Sequence, residues 1–244
     1  MGDNSSAFRM NPDIPLVVPE VNPQEVAQHH GIIANPNCST IIACVPLWPL
    51  HKAAGIRRIV CATYQAVSGS GAKALAELEA QCRAWAAGEP LSAEAYPHQI
   101  AFNCIPQVGK ADSTGYTTEE LKLLHETRKI FGDHHISVTC TCVRVPVFRS
   151  HSEAIWIETD EMLTVERARE VLSAAPGVRL VDDVNAHQYP MPLETSGKDE
   201  VQVGRLRRDP SCDRGLALWV AGDQLLKGAA LNAVQIAEVL FGLK

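Results

Sequence analysis

The spacing of apolar and polar positions along the chain predicts several amphipathic helices. Four segments combine strong helix formers with apolar residues at helical spacing, namely 71–87, 117–131, 164–175 and 223–240. The second has the clearest ends, because Thr117 and Glu120 have the spacing of a capping box and Gly132 follows the last turn. The pattern therefore predicts four helices distributed over most of the chain.

Segments rich in β-branched and aromatic residues lie between these helices and predict strands. They are 58–64, 136–147, 152–158, 178–181, 200–206 and 216–221, with a further strand-like run at 15–21. Two stretches, 88–115 and 183–198, have neither pattern and predict long loops. Helices and strands that mix without strict alternation indicate an α+β fold with a mixed, largely antiparallel sheet and flanking helices.

Composition and charge narrow the classes of function. A length of 244 residues fits one large domain or two small ones, and 46% hydrophobic with 20% charged residues is an ordinary globular mixture. The net charge of −6 argues against a nucleic-acid footprint and against a basic membrane-surface patch. No apolar run approaches the ~18 residues of a membrane span, and no signal-peptide pattern opens the chain. We therefore expect a cytoplasmic protein that binds neither nucleic acid nor membrane.

The eight cysteines indicate a reduced compartment rather than a disulfide scaffold. Their density is far below the ~8–10% of disulfide-rich domains, and no secretory signal accompanies them. No CxxC pair occurs, and the histidine pairs at 29–30 and 134–135 lack partners at zinc spacing. We expect no metal site.

The segment 35–43 contains the first candidate for chemistry, Cys38. The preceding Asn-Pro-Asn is typical of a turn, and a short helix is predicted to begin at about Ser39 and to be broken by Pro46 and Pro49. A thiol at a helix N-terminus meets unpaired N–H groups and the positive end of the helix dipole, which favour the reactive thiolate. The alternative is a structural cysteine, because free cysteines are commonly buried.

Two further segments carry candidate groups. In 144–153 a strand is predicted to end at Pro146 and another to begin near Ser152, which places His151 in a tight connection. His151 is a natural acid–base partner for a cysteine and Arg144 a natural carboxylate binder, the alternative being a solvated surface turn. In 63–72 a strand runs through a Gly/Ser loop into a helix, where backbone N–H groups either approach a phosphate or form an ordinary turn.

Taken together, these segments resemble the aspartate-semialdehyde dehydrogenase family over almost the whole chain. The matching runs follow the family's order: DNSSAFRM, LVVPEVN, NPNCSTI, PLHKAAGI, TYQAVSGSG, TCVRVPVFRSHSEA and KGAALNAVQIAE. The family's diagnostic stretch is matched by the spacing of Cys142, Arg144 and His151. Thr139 and Ser70 depart from the family's usual residues without touching the chemistry. Several ordered motifs are more specific than any one of them.

The resemblance implies roles for the reacting groups. Cys38 is similar to the family's nucleophile, and His151 to its acid–base. Gln65 resembles the residue that helps to hold the thioester intermediate. Arg144 resembles the residue that binds the substrate carboxylate.

The resemblance also implies roles for residues that bind substrate and cofactor. Glu119 and Lys122, at an i,i+3 spacing, resemble the pair near the substrate amine and the phosphate; the alternative is a solvated helix pair. Arg9 resembles the phosphate-binding arginine. Asn232 resembles the residue that touches the nicotinamide carboxamide, the alternative being a helix-packing amide. The cofactor-phosphate loop corresponds to Ser68, Gly69, Ser70 and Gly71.

The reaction implied by the resemblance is the NADP-dependent reductive dephosphorylation of 4-phospho-L-aspartate to L-aspartate 4-semialdehyde. This oxidoreductase step belongs to lysine, diaminopimelate, threonine and methionine biosynthesis. In the reverse direction Cys38 attacks the aldehyde, hydride leaves to the nicotinamide to give a thioester, and phosphate releases the acyl phosphate. The partners implied are the small-molecule substrate, phosphate, and a second copy of the chain in a homodimer.

One family feature has no counterpart in the chain: the Gly-x-Gly-x-x-Gly turn that carries the adenosine diphosphate part of the cofactor. We therefore expect residues 1–37 to be a remnant of a Rossmann-like nucleotide-binding domain, with about 90 residues of the family pattern missing before it. Residues 38–220 are then the catalytic and dimerisation domain, and 221–244 a helix returning to the nucleotide-binding domain with an exposed apolar face. On this expectation the chain alone binds NADP weakly or not at all, and an additional plastid segment is not excluded.

Two other functions stay open from the sequence. N-acetyl-glutamyl-phosphate reductase catalyses a related reductive dephosphorylation, but its cysteine lies in a segment of different sequence. A catalytically silent homologue would keep the dimerising sheet and act as an interaction subunit. Glyceraldehyde-3-phosphate dehydrogenase is disfavoured, because this chain has Gln65 where that enzyme has a histidine.

Overall fold

The computed structural model describes residues 1–243. The helices are α1 (Cys38–Ala54), α2 (Ala72–Ala87), α3 (Thr118–Phe131), α4 (Val165–Ser173), α5 (Pro192–Thr195) and α6 (Leu231–Leu240). The strands are β1 (Gly2–Asp3), β2 (Ile33–Ala34), β3 (Ile56–Gln65), β4 (Ser137–Arg144), β5 (His151–Thr159), β6 (Val178–Leu180), β7 (Val201–Arg208) and β8 (Gly215–Gly222). Short 3₁₀ helices lie at Pro23–Gln28 and Val67–Ser70, and a π-helix at Leu226–Ala230.

Six strands form the main sheet in the order β4-β3-β5-β8-β7-β6. The β3–β4 and β6–β7 pairs are parallel, whereas the β3–β5, β5–β8 and β7–β8 pairs are antiparallel. The predicted α+β fold with a mixed, largely antiparallel sheet is therefore confirmed. Because β3 and β4 run in parallel and β5 runs against them, the last residues of β3 and β4 meet the first residue of β5 at one edge. That edge brings together Gln65, Arg144 and His151.

One face of the main sheet packs on α1, α3 and α4 and forms the principal apolar core. Strand β5 shows the alternation that this requires, because His151, Glu153, Ile155 and Ile157 are all buried on the core side. The core side chains of the sheet therefore continue directly into the polar groups at its edge. Gln65, Arg144 and His151 thus lie at the end of a packed sheet rather than on free loops.

Helix α1 corrects the prediction of a short, broken helix. It runs unbroken through Pro46 and Pro49 for 17 residues. Each internal proline removes a backbone hydrogen bond and costs about 3 kcal/mol. Full burial of an aliphatic side chain contributes roughly 1.5–3 kcal/mol, and α1 buries several such side chains, among them Ile41, Ile42, Leu47 and Leu50. Tertiary packing of these groups offsets the two prolines.

The N-terminal region corrects the predicted strand at 15–21. Only Leu16 forms a bridge there, to Ala34 of the two-stranded parallel sheet β1–β2. The chain then turns, because the Asn22 side chain accepts from the backbone N–H of Val18 and donates to the carbonyl of Leu16. Pro19 has no N–H to continue a ladder. A small apolar cluster of Val17, Val26, Ile33 and Ile236 joins this region to α6.

The predicted C-terminal helix begins as a π-helix and only then becomes α6. Lys227 and Gly228 in this wider turn are buried. Val234 is 55% exposed and Phe241, just beyond α6, is 72% exposed, so apolar side chains face outward as expected. The loop at 88–115 contains no helix or strand, as predicted, whereas 183–198 contains the short α5. Among residues 1–243, no helix is long and apolar enough to cross a membrane.

Candidate functional site

Cys38 is the first residue of α1, which differs from the predicted start at Ser39 by one position. Asn37 is the N-cap, and its Oδ1 accepts from the backbone N–H groups of Ser39 at 3.1 Å and Thr40 at 3.3 Å. This cap fixes the first turn and aims the thiol at the sheet edge. The Cys38 Sγ lies 3.5 Å from Nε2 of His151, which is the distance of a nucleophile and its proton-transfer partner.

His151 is fully buried and is the first residue of β5, not part of the preceding connection as predicted. Its Nδ1 accepts from the backbone N–H of Ala66 at 3.0 Å, which orients the ring so that Nε2 faces the sulfur. Burial holds the pKa of His151 well below its ordinary value, and the Arg144 charge acts in the same direction. A doubly protonated ring would also have to give up the Ala66 bond, so the neutral ring is favoured.

The Cys38 thiol is protonated at rest, which corrects the expectation of a thiolate at the helix N-terminus. Its pKa is raised to about 12, mainly by burial and in addition by the Glu119 charge. The Ser39 N–H and the Arg144 charge lower the pKa, but they do not outweigh burial. The resting pair is therefore a thiol beside a neutral imidazole, and the thiolate has to form during the reaction.

The pH dependence of Cys38 alkylation tests this resting state. At every pH below a pKa of about 12 the thiolate fraction rises tenfold per pH unit, so the alkylation rate should do the same from pH 7 to pH 10 without a plateau. Mass spectrometry of the Cys38 peptide after timed iodoacetamide pulses measures that rate, with the exposed Cys104 as an internal reference. A plateau below pH 8 would show that the thiolate already exists at neutral pH.

Arg144 and Gln65 end neighbouring strands and face each other in register. Arg144 is 5% exposed, and its Nη1 donates to the Ala66 carbonyl at 2.6 Å. Gln65 Nε2 donates to Ser39 Oγ at 2.9 Å, whereas its buried Oε1 has no partner. Burial of Arg144 and His151 excludes the alternative of a solvated surface turn. A fixed guanidinium beside the thiol suits a carboxylate ligand.

The loop at 67–71 closes against these groups. A Cβ on Gly69 would lie 3.0 Å from His151 Cε1 and 3.1 Å from Arg144 Nη1, so the close approach requires glycine. Ser68 is buried, and its Oγ accepts from Gln224 Nε2. Ser70 and Gly71 are exposed. Gly71 has a φ of +90° and is the N-cap residue of α2; it provides no side-chain cap, which leaves the helix N-terminus open next to this loop.

Helix α3 supplies a carboxylate and a cation to the same place. Glu119 Oε2 lies 3.0 Å from Lys122 Nζ, while Glu119 Oε1 accepts from Asn37 Nδ2 at 2.8 Å and from Gln65 Nε2 at 3.2 Å. Burial opposes ionisation of Glu119, but the Lys122 charge and these hydrogen bonds hold its pKa below the ordinary value. Glu119 is only 9% exposed, so the pair is not a solvated helix pair.

Arg9 reaches the site through Glu126, a residue that sequence reasoning missed. Arg9 Nη1 lies 3.2 Å from Glu126 Oε1, and Glu126 Oε2 accepts from the Asn37 backbone N–H at 2.6 Å. Burial raises the pKa of Glu126, although the Arg9 charge opposes that shift. The charges of Arg9 and Lys122 both act on this carboxylate, so the two cations share one acidic partner. Its position seven residues after Glu119 was a signal that it shares a helix face.

Asn232 is closed off from solvent by its own hydrogen bonds. Its side chain is fully buried: Oδ1 accepts from Lys227 Nζ, and Nδ2 donates to the Val17 carbonyl and Asn35 Oδ1. These bonds give Asn232 a packing role, and its contact with a nicotinamide stays a prediction. The π-helix approaches the thiol instead through Gly228, where an added Cβ would lie 3.0 Å from Cys38 Cβ.

Gln224 is a second residue that the sequence did not reveal. Its Oε1 accepts from the Ser150 backbone N–H at 2.8 Å, and its Nε2 donates to Ser68 Oγ. Ser150, directly before His151, has a φ of +72°, which is an uncommon backbone conformation for a residue other than glycine. Gln224 thus connects Ser150, the residue before His151, to Ser68 of the Gly/Ser loop. Within residues 1–243, no group of three or more potential ligands is arranged to hold a metal ion.

Two family models match the chain. The model described as the semialdehyde dehydrogenase dimerisation domain matches residues 47–227, and the one described as the semialdehyde dehydrogenase NAD binding domain matches residues 1–29. The aspartate-semialdehyde dehydrogenase of Aquifex aeolicus is 55% identical over 241 residues, which cover 98% of this chain and 71% of that relative.

Solved structures give the same relationship. Aspartate semialdehyde dehydrogenase II from Vibrio cholerae, complexed with ASA, matches with a TM-score of 0.96 at 47% identity, covering 99% of this chain and 72% of that one. The aspartate semialdehyde dehydrogenase with NADP from Candida albicans matches with a TM-score of 0.75 at 25% identity, covering 98% and 70%. The length and level of these matches show that the chain belongs to the aspartate-semialdehyde dehydrogenase family.

Proposed function

We propose that the chain interconverts 4-phospho-L-aspartate and L-aspartate 4-semialdehyde with NADP, through a thioester on Cys38. The observation that carries the proposal is the 3.5 Å contact between Cys38 Sγ and His151 Nε2. The buried Arg144 guanidinium acts on this pair, and two further cations, Arg9 and Lys122, share the nearby Glu126 carboxylate. A nucleophile, a proton-transfer group and separate places for two anions suit a substrate with a carboxylate and a phosphoryl group.

Cys38 and His151 carry the covalent chemistry in this proposal. In the oxidative direction the sulfur attacks the aldehyde carbon, and the thiol proton leaves as the carbon–sulfur bond forms. His151 Nε2 is the proton-transfer atom at the sulfur and at the new hydroxyl oxygen. Because Nδ1 accepts from the Ala66 N–H, the neutral ring carries its proton on Nε2. Nε2 can take the thiol proton only after this ring proton has moved to Nδ1, which releases the Ala66 bond, and substrate binding has to favour that change. Gln65 Nε2, held by Ser39, keeps the amide beside the reacting carbon.

The substrate groups are divided among separate partners. We assign the α-carboxylate to Arg144, whose fork-shaped guanidinium binds carboxylates with two parallel hydrogen bonds. Glu119 accepts from the substrate amine. Arg9 and Lys122 bind inorganic phosphate or the phosphoryl group. Because the net charge of the chain is −6, an anionic ligand requires such local cationic side chains.

The loop of Ser68, Gly69, Ser70 and Gly71 fits a nicotinamide cofactor. Its exposed part leads into the uncapped start of α2, where free N–H groups and the helix dipole favour a phosphate. When bound, NADP supplies the hydride acceptor. Asn232 would serve the carboxamide only by exchanging one of its present hydrogen bonds.

The remaining proposals concern organisation. We keep the division into 1–37, 38–220 and 221–244, which is supported by the separate apolar cluster that joins the first part to α6. We propose a homodimer formed through the matched dimerisation domain, and a cytoplasmic enzyme of lysine, diaminopimelate, threonine and methionine biosynthesis.

A turnover assay tests the proposal. Purified chain is mixed with L-aspartate 4-semialdehyde, phosphate and NADP, with NADP raised into the millimolar range. We expect NADP reduction that needs all three components. Faster turnover of N-acetyl-glutamate semialdehyde would favour the related reductase. If no reduction occurs and the semialdehyde does not protect Cys38 from alkylation, the chain is a silent homologue.

A further inference from the structure

Helix α3 carries two residues that hold Arg9 and that no assigned role uses. Glu126 is 1% exposed and contacts the Arg9 guanidinium through Oε1. Lys129 lies almost one turn further on, and its Nζ donates to the backbone carbonyls of Arg9 at 2.8 Å, Asn11 at 2.6 Å and Ile14 at 2.8 Å. One residue therefore holds the side chain of Arg9, and the other holds the backbone of the loop that carries it. We call Glu126 and Lys129 the Arg9 clamp.

The clamp also connects Arg9 to the nucleophile. The second oxygen of Glu126 accepts from the backbone N–H of Asn37, the N-cap residue directly before Cys38. Asn37 is held from its other side by Glu119, which pairs with Lys122. An unbroken series of contacts thus runs from Lys122 through Glu119, Asn37 and Glu126 to Arg9. Arg9 and Lys122 are therefore both positioned relative to Asn37, and Asn37 sets the position of the Cys38 thiol.

The Arg9 guanidinium retains hydrogen-bonding capacity for a ligand. Nη1 is used by Glu126 and Nη2 by the Asn4 carbonyl, but the buried Nε has no partner. A long arginine side chain loses rotamer freedom when it binds an anion, and holding it beforehand removes that cost. The immobilisation cost of one such side chain corresponds to about a three- to tenfold change in affinity.

We propose that the Arg9 clamp is a positioning device that preorganises Arg9 for a phosphate or phosphoryl group at a fixed distance from Cys38. Glu126 and Lys129 are positioning residues, because they act through Arg9 and do not touch the substrate. The inference rests on the proposed function in one respect, namely that Arg9 and Lys122 form the anion site. It adds Glu126 and Lys129 as the residues that hold Arg9 in position at this anion site.

The test measures phosphate binding without turnover. A dianion beside Cys38 disfavours the thiolate, so inorganic phosphate should slow iodoacetamide labelling of the Cys38 peptide, and the half-maximal phosphate concentration reports affinity. We expect Glu126→Gln to raise that concentration about three- to tenfold, because glutamine lacks the charge and has an NH₂ group in place of one of the two oxygens that Arg9 and Asn37 use. Lys129→Met should raise it similarly. L-aspartate 4-semialdehyde, whose carboxylate we assign to Arg144, should also protect Cys38 from labelling. The half-maximal semialdehyde concentration for this protection should change less than twofold in both variants.

Controls separate positioning from general damage. Glu170→Gln is the matched isosteric change, at an exposed pair with Arg167 on α4, and should leave the phosphate dependence unchanged. In an Arg9→Gln background, Glu126→Gln should have less than a twofold effect, because it acts through Arg9. Should Glu126→Gln fail to fold, Lys129→Met alone decides the outcome.

Several results would overturn the inference. Tighter phosphate binding in Glu126→Gln would mean that the carboxylate competes with the anion instead of positioning Arg9. An effect that persists in the Arg9→Gln background, or a parent chain whose labelling ignores phosphate, would also reject it. None of these results depends on NADP reduction, so a silent enzyme and a wrong clamp give different outcomes.

Discussion

Replacing Cys38 by serine should abolish phosphate-dependent oxidation of L-aspartate 4-semialdehyde. We expect kcat to fall at least about a thousandfold, because removal of a covalent nucleophile has effects of that scale or larger. A hydroxyl ionises less readily than a thiol, and the burial that already raises the thiol pKa would oppose an alkoxide even more. The measurement is the initial rate of NADP reduction with all substrates saturating.

The exposed Cys104 provides the matched control for this change. Cys104→Ser lies in the long loop at 88–115 and should keep the parent's kcat within twofold. Thermal unfolding compares the folded state of both variants. Cys38 belongs to none of the apolar clusters, so its replacement by serine should shift the unfolding midpoint little. Retention of more than a tenth of the parent's activity in Cys38→Ser would rule out the thioester.

Replacing Arg144 by methionine should selectively weaken the use of substrates that carry a carboxylate. Methionine keeps the length of the side chain but removes the charge. Loss of two charge-assisted hydrogen bonds costs about 3–4 kcal/mol, which corresponds to a roughly 150- to 1000-fold fall in kcat/KM for the semialdehyde. The initial slope of rate against semialdehyde concentration measures this ratio.

A small aldehyde without a carboxylate distinguishes binding from damage. If Arg144 acts on the carboxylate, the parent and Arg144→Met should oxidise this aldehyde with kcat/KM values within about fivefold of each other. The exposed Arg167, changed to methionine in the same way, should leave both substrates unaffected. Equal losses on both aldehydes would assign Arg144 to support of the Ala66 backbone, to which it also donates.

Several elements of the fold follow from local sequence patterns. The capping box at Thr117 and Glu120 and the glycine after the last turn define α3, and both signals act within a few residues. The main strands follow from β-branched runs for the same reason. By contrast, Pro46 and Pro49 locally favour a break in α1, and only burial against the sheet and neighbouring helices reverses that preference. The turn at 18–22 depends on a side chain that pairs with the backbone, a signal that apolar patterning does not contain.

The candidate site divides in the same way. Residue types, their order along the chain, and the resemblance that singles out Cys38, His151 and Arg144 can all be recognised without coordinates. Tertiary structure decided that residues 38 and 151, more than a hundred positions apart, lie at 3.5 Å, because parallel and antiparallel strands end at one edge beneath α1. It also decided the protonation state: a helix N-terminus alone favours the thiolate, but burial and Glu119 outweigh that effect. Contacts such as Glu126 with Arg9 and Asn37 join three distant segments, and their energies depend on burial and distance, which no local pattern encodes.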